Sequence, residues 1–185
     1  AYGDLGVLLG RAVAKSAVGP RIPARETIRA TVIGAGCHAT ELSGSTVYFD
    51  RIAFPLKNLP VAALTPEEER LPPAELAETV RARLAVFADG PAVLALQGRR
   101  DLHFAALSAL ADGLAGGLRG RDGPVLVAVA ADVGKALGQA LAVRLPGVPL
   151  LCLDGVQLPP GSYLDVAAPI ANRQVLPVVI KTLVF

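Results

Sequence analysis

Between residues 74 and 153 the chain repeats one rhythm, a helical stretch followed by a short apolar run. Residues 74–87 place Leu76, Val80, Leu84 and Phe87 on one helical face, and residues 101–118 and 134–144 are also helical in pattern. Between and after them lie the apolar runs 92–96, 125–130 and 150–153. Strands that alternate with helices of ten or more residues predict right-handed βαβ units and a parallel sheet. Unbroken apolar strands predict cover on both faces of that sheet.

The flanking segments read differently. Residues 5–18 carry apolar side chains at Leu5, Leu8, Leu9, Ala12 and Val13, the spacing of an amphipathic helix, with Asp4 placed to cap it. Gly19-Pro20 and Ile22-Pro23 end it. Residues 28–33, 45–49 and 59–64 are β-rich runs bounded by turn formers, predicting strands with at least one antiparallel pair. Three glutamates and three prolines make 65–73 a solvated connection or the start of a short helix. The tail returns to β at 164–166 and 175–184, where Pro177 predicts an edge or a bulge. The expected fold class is α/β: a β-rich front followed by βαβ units on a mainly parallel, mixed sheet. Residues 1–20 form a helix and linker and 21–185 an α/β domain, either undivided or split into 21–70 and 74–185.

Composition narrows the function. Hydrophobic residues make up 52% of the 185 positions and charged residues 18%, with a net charge of +2, which excludes a disordered chain. The longest apolar run, Val125 to Ala131, stops at Asp132, far short of the roughly 20 residues of a membrane helix. No basic cluster precedes an apolar stretch at the start, so the expected location is the cytoplasm. Cys37 and Cys152 are too few for a disulfide framework and are expected to be reduced, half-buried thiols. Dispersed charge and 4% aromatics give no nucleic-acid footprint. The sequence contains no Met and opens on Ala1, so the initiator was trimmed or the chain is a piece of a longer protein.

Two loops carry candidate site residues. Gly34-Ala35-Gly36-Cys37-His38-Ala39 follows a predicted strand and formally fits a dinucleotide-binding glycine pattern. That pattern must open a helix, and here Ser43-Gly44-Ser45 leads into another strand. Gly34, Gly36 and His38 therefore read as a hairpin or bulge, or as a loop that contacts a ligand. Asp132-Val133-Gly134-Lys135 lies where a predicted parallel strand meets a helix, so Asp132, Gly134 and Lys135 read either as a capped helix start with a solvated lysine or as an anion site. Val129 and Ala136 rule out a Walker loop. Gln97-Gly98-Arg99-Arg100 and Asp154-Gly155 end neighbouring strands and are expected on the same edge, where arginines either clamp an anion or are surface charges. Two histidines cannot build a histidine metal cluster, and no nucleophile elbow is present, so neither a metal nor a catalytic residue is predicted.

Several stretches, in order along the whole chain, are similar to the carboxyl-terminal part of the ethanolamine ammonia-lyase reactivating factors. They include Gly3-Asp4-Leu5-Gly6, Glu26-Thr27-Ile28-Arg29-Ala30-Thr31-Val32-Ile33-Gly34-Ala35-Gly36 and Leu42-Ser43-Gly44-Ser45-Thr46. Pro55-Leu56-Lys57-Asn58-Leu59-Pro60-Val61 and Asp132-Val133-Gly134-Lys135-Ala136-Leu137-Gly138 continue the series. Tyr163-Leu164-Asp165-Val166 and Leu176-Pro177-Val178-Val179-Ile180-Lys181-Thr182-Leu183 complete it. The resemblance implies a chaperone that uses ATP and magnesium to expel damaged cobalamin from the lyase, in the cytoplasm and in association with an ethanolamine-utilising microcompartment. It implies that residues 1 to about 18 are the last helix of an actin/Hsp70-like ATPase part whose phosphate motifs, Asp-x-Gly-Thr and Asp-x-Gly-Gly-Gly-Thr, are absent here. No ATP ligand is thus assigned to this chain. Two functions follow as expectations: an interaction and lever module that contacts the lyase, with homo-oligomerisation open, or a small-molecule domain that takes a corrinoid or nucleotide at the edge formed by Gln97, Asp132 to Lys135 and Asp154.

Overall fold

The predicted alternation is present where the apolar runs are densest. The computed structural model describes residues 8, 11, 12, 15, 16, 38–43, 46–87, 90–99, 102–170 and 175–182, in two compact units, Ala1–Val32 and Ile33–Phe185. Of the first unit, residues 8, 11, 12 and 15 are helical, as their periodicity predicts. The strand expected over 28–33, together with Gly34, Gly36 and Cys37, lies outside the described residues.

In the second unit the strands are β1 (His38–Leu42), β2 (Tyr48–Asp50), β3 (Leu56–Ala63), β4 (Val93–Leu96), β5 (Val125–Val129), β6 (Leu150–Asp154), β7 (Ser162–Val166) and β8 (Pro177–Thr182). The helices are α1 (Pro73–Ala85), α2 (Phe104–Leu118) and α3 (Gly134–Arg144), and a single 3-10 turn spans Glu68–Arg70. The strands form one sheet in the order β1-β8-β7-β3-β4-β5-β6-β2. Only β3-β4, β4-β5 and β5-β6 are parallel; the pairs β1-β8, β8-β7, β7-β3 and β6-β2 are antiparallel. The sheet is therefore mixed rather than mainly parallel, because both ends are finished by strands that arrive without a crossover helix. The front strands β1, β2 and β3 pair with later strands and not with one another.

Because β3, β4, β5 and β6 are laid down side by side in chain order, every right-handed crossover falls on the same face. Alternation along each strand then divides the core in two. Leu94, Leu96, Val125, Val127, Val129, Leu150 and Cys152 meet Leu76, Val80, Leu114, Leu137 and Leu141 of the helices. Val93, Ala95, Leu126, Ala128, Leu151 and Leu153 meet Leu164, Val166, Val178 and Ile180 of the antiparallel strands. The sheet thus curls so that its own antiparallel portion covers the face opposite the helices. β3 makes the corner: Leu56 to Pro60 pair with β7, and Val61 to Ala63 pair with β4. Pro60 stands at the changeover, where a missing amide hydrogen costs no ladder bond toward β4, and a bulge with Asn58 at φ 55° bends the strand just before it. Pro177, expected at an edge, begins the interior strand β8, the other position that tolerates proline.

Glycines set the closeness of α1 and α2. A Cβ on Gly117 would lie 2.5 Å from Val80 Cβ and 2.7 Å from the Ala77 carbonyl oxygen, and one on Gly113 would lie 2.6 Å from Leu76 Cδ2. No helix among the described residues is long and apolar enough to cross a membrane.

Candidate functional site

The carboxyl ends of β3 to β6 lie along one edge, because the parallel register aligns Ala63 with Ala95, Leu96 with Val129, and Val129 with Asp154. This edge holds Gln97, Asp132, Gly134, Lys135 and Asp154 together, as their strand-end positions predict. All crossovers run one way, so no point of reversed strand order opens a crevice in the parallel portion.

At the outer end of the edge three oxygen-bearing side chains meet. Tyr48 pairs with Cys152 in the antiparallel β2-β6 register, so counting back two residues brings Thr46 opposite Asp154. Thr46 Oγ1 donates to Asp132 Oδ1 at 2.6 Å and also contacts Asp154 Oδ2. Asp154 shares the parity of Leu150 and Cys152 and so faces the helical side, below the first turn of α3. The Gly134 amide donates to Asp154 Oδ2 at 3.3 Å. Close approach is required there, since a Cβ on Gly134 would lie 2.9 Å from Asp154 Cβ.

Asp154 is fully buried, at 0% exposure, while Asp132 is exposed. Burial pushes the Asp154 carboxyl up, the Thr46 and Gly134 donors pull it back, and Asp132 drives it up again. Asp154 Oδ1 is buried without a partner among the described residues. The expected Asp132 cap is not formed. Val133 occupies the N-cap of α3 with no side-chain bond, and the carboxylate beneath the helix comes from the neighbouring strand. Lys135 is exposed in the first helical turn.

A second arrangement sits at the end of β4. Thr65 and Glu68 cap each other, Thr65 N to Glu68 Oε2 at 2.8 Å and Glu68 N to Thr65 Oγ1 at 3.3 Å, which shapes the 3-10 turn. That turn aims Glu69 at the amides of Gln97 (2.6 Å) and Gly98 (2.9 Å). Gly98 has φ +70°, and a Cβ there would meet Val129 Cγ2 at 2.4 Å, so only glycine fits. Glu69 also lines a cavity of about 280 Å³ with Leu71, Leu102, Ala106 and Leu110. Desolvation raises its pKa, against the two amides and Arg70. Arg99 is exposed beside this cavity, and Arg100 lies outside the described residues.

The amides of Gly134, Gln97 and Gly98 on this edge thus meet the chain's own carboxylates, Asp154 for the first and Glu69 for the other two. Sequence reasoning missed Thr46 and Glu69 because each acts across a long separation, and the capping pattern Thr65-x-x-Glu68 was the available signal for the turn that places Glu69. His38 begins β1, opposite Lys181. His103, assigned to the body of α2 by its pattern, instead caps that helix, its Nδ1 accepting from the Ala106 amide at 3.1 Å. Cys152 is fully buried rather than half-buried, and burial pushes its thiol far up.

Fold and edge together define an α/β domain with helices on one face and an acidic strand-end cluster. The chain belongs to the family described as ethanolamine utilisation protein EutA, whose model matches residues 1–185. It is 36% identical over 197 aligned positions to the ethanolamine ammonia-lyase reactivase EutA of Salmonella typhimurium (strain LT2) and 36% identical over 195 to that of Escherichia coli (strain K12). All of this chain aligns, and it spans 40% of the length of each relative. No solved structure matches.

Proposed function

We propose that this chain is the carboxyl-terminal portion of a reactivase for ethanolamine ammonia-lyase and serves in it as an interaction and lever module. The observation that carries the reading is the family match over the full chain, with two relatives named as reactivases of that lyase. The rigid support given by two packed cores, with loops gathered at one edge, suits a part that transmits contact to a partner. In this reading ATP and magnesium are used by the portion of the whole protein outside this chain, an assignment supported by the carboxylates that occupy the amides of Gly134, Gln97 and Gly98. The proposal places the protein in the cytoplasm, associated with an ethanolamine-utilising microcompartment.

The test is size-exclusion chromatography and calorimetric titration of the chain against ethanolamine ammonia-lyase loaded with inactive cobalamin, with and without ATP and magnesium. Co-elution and a saturable heat that need no ATP are the expected result. Absence of binding, alongside full reactivation by a reactivase truncated to remove this segment, overturns the assignment.

A further inference from the structure

We propose that the free edge of β3 at Ala63, with the groove beside it, is a docking site for an extended segment of a partner protein that carries a branched apolar residue and a lysine or arginine. The edge follows from the corner in β3. The Leu64 amide donates to the Ala95 carbonyl at 2.9 Å, so Ala62 and Leu64 turn their backbone groups toward β4 and Ala63 turns its N–H and C=O the other way. β7 does not reach them. Its pairing with β3 ends at Pro60 and Tyr163, and the Ser162 amide donates to the Pro159 carbonyl in a turn that carries the preceding chain away. Neither backbone group of half-buried Ala63 has a hydrogen-bond partner among the described residues. An unpaired N–H and C=O on a strand edge select another strand.

The space beside the edge admits one. A groove of about 610 Å³ runs between β3 and α1, with Val61, Ala63, Ala82, Val86, Phe87 and Pro160 among its lining residues. Val86, just past the end of α1, is 79% exposed and offers an uncovered apolar contact. Charge fixes the other end. The 3-10 turn and the first turn of α1 follow the carboxyl end of β3, and residues 65–83 carry five glutamates and three arginines, a net charge of −2 in a chain of net charge +2. Arg81 and Arg83 are already ion-paired, with Glu78 and Glu68. Glu75, one helical turn before the groove residue Thr79, is exposed and has no lysine or arginine ion pair among the described residues. The groove is thus apolar where α1 ends and acidic where α1 begins, which matches an extended segment with an apolar residue at one end and a basic one at the other. This inference rests on the reading of the chain as an interaction module and names the surface and the chemistry of the partner segment.

The experiment uses the chain without any lyase, so its outcome is separate from that of the lyase titration. The probe is a phage-displayed library of random dodecapeptides, from which enriched peptides are synthesised and titrated by fluorescence polarisation. Enrichment of peptides that join branched apolar residues to lysine or arginine, with affinity that falls as salt rises, is the expected result. Ala63→Pro removes only the outward amide hydrogen, which proline tolerates at an edge, and should keep the circular dichroism of the wild type while weakening the peptides about tenfold or more. Val86→Asp tests the same groove on an exposed side chain without touching the strand and should weaken them similarly. Glu75→Lys should weaken them and abolish the salt dependence. No enrichment of such peptides, or equal binding by Ala63→Pro and Val86→Asp, overturns the proposal. So does a concentration-dependent dimer of the wild type that Ala63→Pro abolishes, which would give the edge to a second copy of the chain.

Discussion

A single carboxylate, Glu69, fixes how the end of β4 is read. Its oxygens take the two amides that a strand-end ligand would use, and desolvation raises its pKa above the ordinary 4.5. The folded state therefore holds this proton to higher pH than the unfolded chain does. Glu69's contribution is fully present below the unfolded value and is lost as pH rises through the raised folded value. Glu68, Asp112 and Asp165, all with lowered pKa values, act in the opposite direction, so the Glu69 effect is isolated by comparison with Glu69→Gln. Urea unfolding of both proteins from pH 4 to 7 should give a wild-type-minus-variant stability that falls with pH; a difference that rises would reverse the sign assigned here. At this scale the sequence was legible only in part. Asp132, Gly134, Lys135 and Asp154 could be placed on one edge from the βαβ rhythm, whereas Thr46 reaches Asp154 across 108 positions through an antiparallel pairing that no local pattern reveals.

Elements were legible in proportion to their periodicity. α1, α3, β4, β5 and β6 fall within a residue or two of their predicted bounds, because long apolar faces and unbroken apolar strands leave few alternatives. α2 begins three residues later than its pattern, where His103 supplies the cap. The Gly116-Gly117 pair looks like a weak point of α2, yet Gly117 allows α1 to approach closely. Alanine there gains up to about 1 kcal/mol of helix propensity but pushes against Val80 and a backbone carbonyl at 2.7 Å, and overpacking typically costs about 1–3 kcal/mol. Gly117→Ala should therefore lower stability by about 1–2 kcal/mol in chemical denaturation, whereas alanine at Gly120, which meets nothing within 4 Å, costs only its strain at φ +82°. A stabilised Gly117→Ala would show that the two helices move apart freely.

Over Ile33–Phe185 the two cores share the strands β3 to β6 and should melt together. Leu114→Ala removes a fully buried side chain on the helical side and Leu126→Ala one on the opposite side. Each should cost about 2–5 kcal/mol and shift a single transition seen alike by near- and far-ultraviolet circular dichroism. Separate transitions in either variant would mean that the faces are independent. The topology was the least legible level, since Ser162–Val166 and Pro177–Thr182 reveal their β character in sequence but not that they fold back over Val93, Leu126 and Leu151. The corner at Pro60 carries a consequence for the order of synthesis. The ribosome completes β3 to β6 with their helices before it reaches β7 and β8, and until then β3 has no partner for residues 56–60 and the apolar face of β4, β5 and β6 has no lid. The nascent chain passes through an interval in which half its core is made and faces water, a form that invites a holding chaperone or a neighbouring copy until the last strands arrive.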